Sequence, residues 1–342
     1  MRRRFEPRQL LRSEILALQM ILADRDTAAE AAREFSLGPG IDGLYPDGIG
    51  LLGQIASRGF PDEQCKTIEA KAVGYRRYTW TKNQYRIVQA AEFISALSAC
   101  EIETVLLYEL AAVVSTYADA SVRPIYGLDC LVHPKNYTKA LDILSALATR
   151  SDAVPRKTEG AQTIKDERQV TARINIHSRI LDEYMEEDSV WSALRPYSLA
   201  GMNCFLLSRE DAALHTLLRL DGSKAGTALW FVDACAVFRE FESTTERRKL
   251  LDRIRQLQQS AAVKQVAFYV EETLKPETGL LPWSPDLQAE MLGLSPGVRE
   301  IFKAPARTLQ SIGQVARSSL KSFRTKIAGA QQAPIISSES GE

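Results

Sequence analysis

The stretch Val122-Arg123-Pro124-Ile125-Tyr126-Gly127-Leu128-Asp129-Cys130-Leu131-Val132 carries the most information about the fold of this chain. It predicts a turn that leads into a short apolar strand over 128–132, with one carboxylate, Asp129, inside that strand. Burying a lone acid is costly unless the acid is paired or binds a metal. Asp129 is therefore the strongest candidate for a functional residue.

The residues around this stretch alternate between strand and helix patterns. Apolar residues over 104–107 predict a strand, and small residues predict a helix from there to about Tyr117. An amphipathic helix is predicted over 136–148, followed by a polar loop over 151–165. Residues 169–176 alternate apolar and polar side chains, which is typical of a strand. Together these elements predict a compact α/β unit of about 80 residues.

Helical patterns flank this unit on both sides. Residues 7–35 have apolar side chains at helical spacing, and residues 65–99 predict two further helices, the second from about Thr81. Tyr75, Tyr78, Trp80 and Tyr85 lie in this region. They could form a stacking platform, but packing in the core or between helices is the commoner role for such a cluster.

The C-terminal part is also predicted to be helical, as far as a small, polar and disordered tail. The basic segment 303–326 has two open interpretations, a helix on an anionic membrane surface or a solvated terminal helix. The second is more common. We therefore divide the chain into an N-terminal helical region (1–100), an α/β core (101–207), a C-terminal helical region (208–327) and a tail (328–342).

The composition of the 342 residues excludes few function classes. Lysine plus arginine equals aspartate plus glutamate, at 43 each, so the overall charge gives no strong nucleic-acid signal. The five cysteines form no CxxC pair and suit small core positions in a reducing compartment. No apolar run approaches the length of a membrane span, and no signal peptide follows the first arginines. We expect a cytoplasmic protein.

Several short motifs occur in an order that resembles a known family, the bacterial uncharacterised nucleotidyltransferases of the DNA-polymerase-β-like nucleotidyltransferase superfamily. The resemblance extends from about Leu10 to Phe241. Each motif is short, and their order and spacing carry the resemblance together. The motifs lie at Leu106–Glu109, Arg123–Val132, Asn175–His177, Ser208–His215 and Trp230–Asp233.

The resemblance implies an α+β fold that is mostly helical, in which a small mixed-sheet nucleotidyltransferase core is flanked by N- and C-terminal helical regions. It also implies nucleotidyl transfer from an NTP with two Mg²⁺ ions, which three carboxylates hold. In this chain Gly127 stands at the first carboxylate position and Asn175 at the third, so only Asp129 remains. Tyr108 replaces the family's usual lysine. Because Mg²⁺ prefers anionic oxygens, we expect weak Mg²⁺ binding.

The resemblance assigns candidate roles to five residues. Asp129 would be the metal ligand and, with His177, a catalytic residue, whereas Arg123, Gly127 and Asn175 would line the cofactor site. Each assignment has a structural alternative. Asp129 could cap local backbone amides or pair with Arg123, Arg123 could form a salt bridge within the turn, and His177 could be a packed, hydrogen-bonded histidine. His215 and Asp233, on later helices, are expected to stabilise helix packing.

Two function classes follow from this set of residues. The first is a protein with weak or lost catalysis that binds a nucleotide, another small molecule or a partner protein in the inherited cleft. The second is an active metal-dependent enzyme that moves an NMP from an NTP to an acceptor. The number of carboxylates favours the first class. Two further carboxylates within about 4–5 Å of Asp129 would favour the second.

Overall fold

The computed structural model describes residues 10–257, except for 39, 45–47, 60–64, 118, 151–160, 166–170, 181–186, 219–226, 240 and 242, together with Val263. Within the predicted C-terminal helical region, the pattern over 265–274 predicts a further helix. This helix, the basic segment 303–326 and the predicted disordered tail over 328–342 lie outside the described residues.

Most of the described residues are helical. Among these residues, four helices precede the sheet, three lie between its strands, and three follow it. The helices are α1 (Arg12–Leu22), α2 (Arg25–Leu37), α3 (Leu52–Arg58), α4 (Lys66–Ser98), α5 (Tyr108–Ser115), α6 (Tyr137–Arg150), α7 (Glu187–Trp191), α8 (Arg209–Leu218), α9 (Thr227–Arg239) and α10 (Thr244–Gln256).

Six strands form one mixed sheet in the order β3-β4-β2-β1-β6-β5. The pairs β2/β4 and β1/β6 are parallel, and the pairs β1/β2, β3/β4 and β5/β6 are antiparallel. This small mixed sheet among helices confirms the predicted α+β class. The strands are β1 (Thr104–Leu107), β2 (Gly127–Val132), β3 (Ala161–Lys165), β4 (Thr171–His177), β5 (Arg195–Leu199) and β6 (Met202–Leu206).

The loop predicted over 151–165 is wrong at its end, because Ala161–Lys165 forms strand β3. This strand lies at the edge of the sheet and pairs only with β4 among the described strands. An edge strand buries less apolar surface than a central one, so its sequence can stay polar. The polar composition of 151–165 therefore concealed it.

The prediction of two helices over 65–99 is also wrong, since α4 is one helix of 33 residues. Its buried positions recur at helical spacing, but they include the polar residues Thr79 and Asn83. Polar residues therefore interrupt the apolar pattern midway along the helix, although the helix contains no proline. Asn83 is buried because its side chain bonds the backbone of the turn before β2, donating to Arg123 O and accepting from the Ile125 N–H.

The two faces of the sheet differ in character. Alternate residues of β2 and β4, such as Leu128 and Ile174, pack into a core with α4 and α6. The residues between them point to the other face, because side chains alternate along a strand. That face has a smaller apolar cluster that includes Leu107 and Leu131, and it carries the polar residues singled out from the sequence.

The helices before and after the sheet share one hydrophobic core. Leu16 of α1 and Phe35 of α2 belong to the same buried cluster as Phe231 of α9 and Leu250 of α10. Burial of large apolar side chains is the main source of folding stability. The N- and C-terminal helical regions therefore stabilise each other directly, and α9 reaches the sheet unit from this shared core.

Four of the five cysteines are buried and all five are free thiols, which confirms that most are core residues. Burial raises the pKa of the Cys204 thiol to about 11 and that of Cys130 further. These two thiols are therefore protonated and unreactive near neutral pH. Among the helices of the described residues, none has the length and apolar character needed to cross a membrane.

Candidate functional site

The parallel pairing of β2 with β4 brings the predicted site residues together. In the register of this pair, Gly127 lies opposite Arg173 and Asp129 opposite Asn175, and His177 follows two residues along β4. Residues two apart on a strand share a face, so all five lie on the same side of the sheet. This confirms the predicted juxtaposition of Asp129 with Asn175 and His177. We call these five residues the cleft residues.

Asp129 is 7% exposed, and both of its side-chain donors bind one carboxylate oxygen. Asn175 Nδ2 donates to Asp129 Oδ1 over 2.8 Å, and His177 Nε2 lies 2.9 Å from the same oxygen. This distance suits a hydrogen bond from the tautomer of His177 that carries its proton on Nε2. The two partners of Asp129 Oδ1 are thus neighbouring side chains on β4.

Gly127 lies beside the other carboxylate oxygen of Asp129 and supplies no side chain there. A Cβ atom at this position would lie 3.3 Å from Asp129 Oδ2 and 3.6 Å from Asn175 Nδ2. A side chain at position 127 would therefore point into the cleft. The three positions that the resemblance assigns to carboxylates do converge in space, although only Asp129 supplies a charge.

Arg173 is a cleft residue that the sequence analysis did not single out. Its Nε donates to Asn175 Oδ1 over 2.9 Å, and the residue is exposed. A guanidinium has five N–H donors, and this bond uses one of them. The alternation along 169–176 places Arg173 on the same face as Asn175. Its proximity to the candidate residues was the signal that could have found it.

Tyr108 forms an aromatic wall at the end of β1. Its ring centroid lies 5.5 Å from that of His177 and 4.5 Å from that of His215. Its backbone φ of 51° lies in the left-handed region, which side chains larger than glycine rarely adopt. The fold therefore holds Tyr108 in a strained conformation next to the cleft. His215, predicted to stabilise helix packing, packs its ring against this residue.

Arg123 is almost fully buried, at 2% exposure, and it binds a distant helix. Its Nε donates to Asp233 Oδ1 over 2.9 Å and its Nη2 to Asp233 Oδ2 over 2.9 Å. The predicted salt bridge within the turn is wrong, because the partner is 110 residues away on α9. Asp233 also accepts from the Tyr117 hydroxyl at 2.8 Å. Asp233 therefore ties the turn before β2 to the helical core.

The charges around Arg123 shift two pKa values. Burial alone would lower the pKa of Arg123, but the charge and hydrogen bonds of Asp233 raise it above its ordinary value. Burial, and then the charge of Asp233, hold the pKa of the Tyr117 hydroxyl well above its usual range. Arg123 is therefore charged and Tyr117 neutral near physiological pH. An enclosed Arg123 would have to lose Asp233 before it could contact a phosphate.

The cleft residues do not fit a site for two Mg²⁺ ions. They offer one carboxylate, one amide and one imidazole, and the adjacent Arg173 is cationic. Two Mg²⁺ ions need several anionic oxygen ligands in octahedral geometry. In the part of the chain that the structure describes, no group of three histidine, cysteine, aspartate or glutamate side chains could hold a metal ion.

Comparisons with known proteins place these residues in a wider context. The sequence model of a family described as uncharacterised nucleotidyltransferase matches residues 52–275, more than half of the chain and all of the cleft residues. Curated proteins gave no match. One solved structure that is similar to this chain is that of an antigenic nucleotidyltransferase-like protein from Paracoccidioides brasiliensis. The identity is 13%, the alignment covers 52% of this chain and 90% of that chain, and the TM-score is 0.32.

Proposed function

Because this chain belongs to the uncharacterised nucleotidyltransferase family, we propose that its cleft binds a nucleotide through the phosphate groups, with weak or lost catalysis. One observation carries the proposal. The single carboxylate of the cleft, Asp129, has one oxygen occupied by two side-chain donors, Asn175 and His177, and the neighbouring position 127 has no side chain. This arrangement provides too few anionic ligands for a pair of dications.

The same arrangement suits an anion. Asn175 and His177 both contact Asp129 Oδ1, so this oxygen already has polar partners on the side that faces β4. Arg173 is exposed and is held in place by its bond to Asn175 Oδ1. A planar guanidinium fixed in this way can bind two phosphate oxygens at once. The ligand's negative charge would thus be met by protein donors rather than by Mg²⁺.

Replacing Arg173 with alanine is expected to weaken nucleotide binding about tenfold or more, since hydrogen bonds to charged groups contribute about 1.5–3 kcal/mol. The measurement is the equilibrium dissociation constant of each labelled ribonucleoside triphosphate in the presence of EDTA. The matched control is Arg25→Ala, which removes an exposed arginine from α2, and it should leave the dissociation constant unchanged. Equal losses in the two variants, or no binding to the wild type, would refute the proposal.

A further inference from the structure

Helix α4 carries a strong local charge in a chain that has none overall. From residue 70 to residue 91 it has five basic side chains and no aspartate or glutamate, whereas the whole chain has 43 residues of each sign. The same segment contains three tyrosines and one tryptophan. The basic residues of the segment are Lys71, Arg76, Arg77, Lys82 and Arg86.

Two of the lysines and all three tyrosines of this segment share one side of the helix. At 100° per residue, they fall within about 80° of one another around the axis. We call this surface the aromatic-basic flank. Arg76 lies outside it and is paired with Asp119. The residues of the aromatic-basic flank are Lys71, Tyr75, Tyr78, Lys82 and Tyr85.

On the aromatic-basic flank Lys71 and Tyr78 are exposed, whereas Tyr75, Lys82 and Tyr85 are half-buried. Tyr75 packs against a hydrophobic core, as predicted, and Tyr78 does not follow that prediction. Tyr78 is 57% exposed. Its ring centroid lies 6.0 Å from that of Tyr75, and the Lys82 ammonium lies 5.6 Å from the Tyr78 centroid. A cation held over an aromatic ring keeps the positive charge beside the apolar surface. The flank thus offers rings and positive charges side by side.

The aromatic-basic flank continues to the edge of the cleft. The hydroxyls of Tyr75 and Tyr126 are hydrogen-bonded, and Tyr126 is 44% exposed and directly precedes Gly127. Arg86 interacts electrostatically with both of these tyrosines. Its Nε–H finds no hydrogen-bond partner among the residues that the structure describes. A chain bound along the flank could therefore reach the cleft past the positive charge of Arg86.

From these contacts we propose that the aromatic-basic flank binds single-stranded nucleic acid. Unpaired bases stack on exposed aromatic rings, and lysine and arginine neutralise the phosphates between them. A membrane surface would call for a continuous apolar face with leucine or phenylalanine, which this flank lacks. The basic side chains would attract an acidic peptide, but acidic side chains would not stack on the aromatic rings. The proposal is independent of nucleotide binding in the cleft, because it involves other residues.

The test is fluorescence anisotropy of a short labelled single strand of mixed sequence, as RNA and as DNA, with the full-length protein. Tyr78→Ala should weaken binding about tenfold or more, the effect expected from losing one stacked base. Trp80 is the matched control because it is similarly exposed, at 52%. It lies about 200° further round the helix, and Trp80→Ala should have no effect.

A second variant separates the charge from the stacking. Lys82→Gln should lower the slope of log affinity against log salt concentration by about 0.7, the value for one phosphate contact on a single strand. Equal losses for Tyr78→Ala and Trp80→Ala would overturn the proposal. So would tighter binding to duplex DNA, polyglutamate or phosphatidylserine vesicles than to the single strand, and so would the absence of binding.

Discussion

Replacing Asp233 with alanine is expected to lower the free energy of unfolding by about 3–5 kcal/mol, the range for breaking a buried ion pair by removing one partner. The substitution leaves the Arg123 guanidinium charged and buried at 2% exposure. It also removes the acceptor of the Tyr117 hydroxyl. Glu109 Oε1, at 3.8 Å from Arg123 Nη2, is too distant for a hydrogen bond and does not replace Asp233.

The measurement is equilibrium unfolding in urea. The matched control is Asp252→Ala, which breaks an ion pair with Arg255 on the surface of α10, where the two side chains are 62% and 66% exposed. Exposed pairs contribute about 0.2–1 kcal/mol, so this variant should stay close to wild type. If the two substitutions cost the same, Asp233 does not support the fold as described.

Restoring two carboxylates, with Gly127→Asp and Asn175→Glu together, is expected to create metal-dependent stability that the wild type lacks. The side chains would converge on Asp129, because a Cβ at position 127 lies 3.3 Å from Asp129 Oδ2. Without metal, three clustered carboxylates repel one another and raise each other's pKa, so the double variant should be less stable than wild type.

Added Mg²⁺ should then recover the loss, because an ion that binds only the folded state stabilises it. At 100 times the dissociation constant this gain is about 2.7 kcal/mol. Either substitution alone should gain much less, since one added carboxylate leaves an incomplete set of ligands, and the two effects should not add. The prediction concerns stability and metal binding, and it does not require that transfer activity returns.

A melting-temperature series with and without Mg²⁺ measures this effect. The control is Gly127→Ala with Asn175→Gln, which fills the same positions without adding charge. It should show no response to Mg²⁺. A double carboxylate variant that also shows no response beyond wild type would mean that positions 127, 129 and 175 cannot form one site. The tight 3.3 Å approach also requires Asp129 to shift by a few tenths of an ångström.

The central strands could be predicted from the sequence because they are short, apolar and closed by turn residues. Strand β1 covers the predicted residues, and β2 begins only one residue before its predicted start. The parallel register that joins Asp129 to Asn175 was accessible through the alternation of β4 and the order of the family motifs. Local patterns were sufficient wherever burial alone dictates the side-chain spacing.

Other features depend on contacts between residues that are remote in sequence. Nothing near Arg123 indicates that its partner is Asp233, which belongs to a helix of the other hydrophobic core. The cleft role of Arg173 depends on the orientation of the Asn175 amide between two neighbours. The exposure of Tyr78 depends on which side of α4 the rest of the chain covers. Such features require tertiary structure.

The proposed metal-independent cleft is tested most directly by titrating a ribonucleoside triphosphate into the wild-type protein in EDTA and again in excess Mg²⁺. Because Asp129 is the single anionic ligand that the cleft residues offer, Mg²⁺ should bind the cleft weakly. The two dissociation constants should therefore agree within about threefold. Calorimetry with Mg²⁺ and no nucleotide should show only weak binding. Nucleotide binding that appears only with Mg²⁺, together with tight binding of two ions, would contradict the account and would indicate an active metal centre.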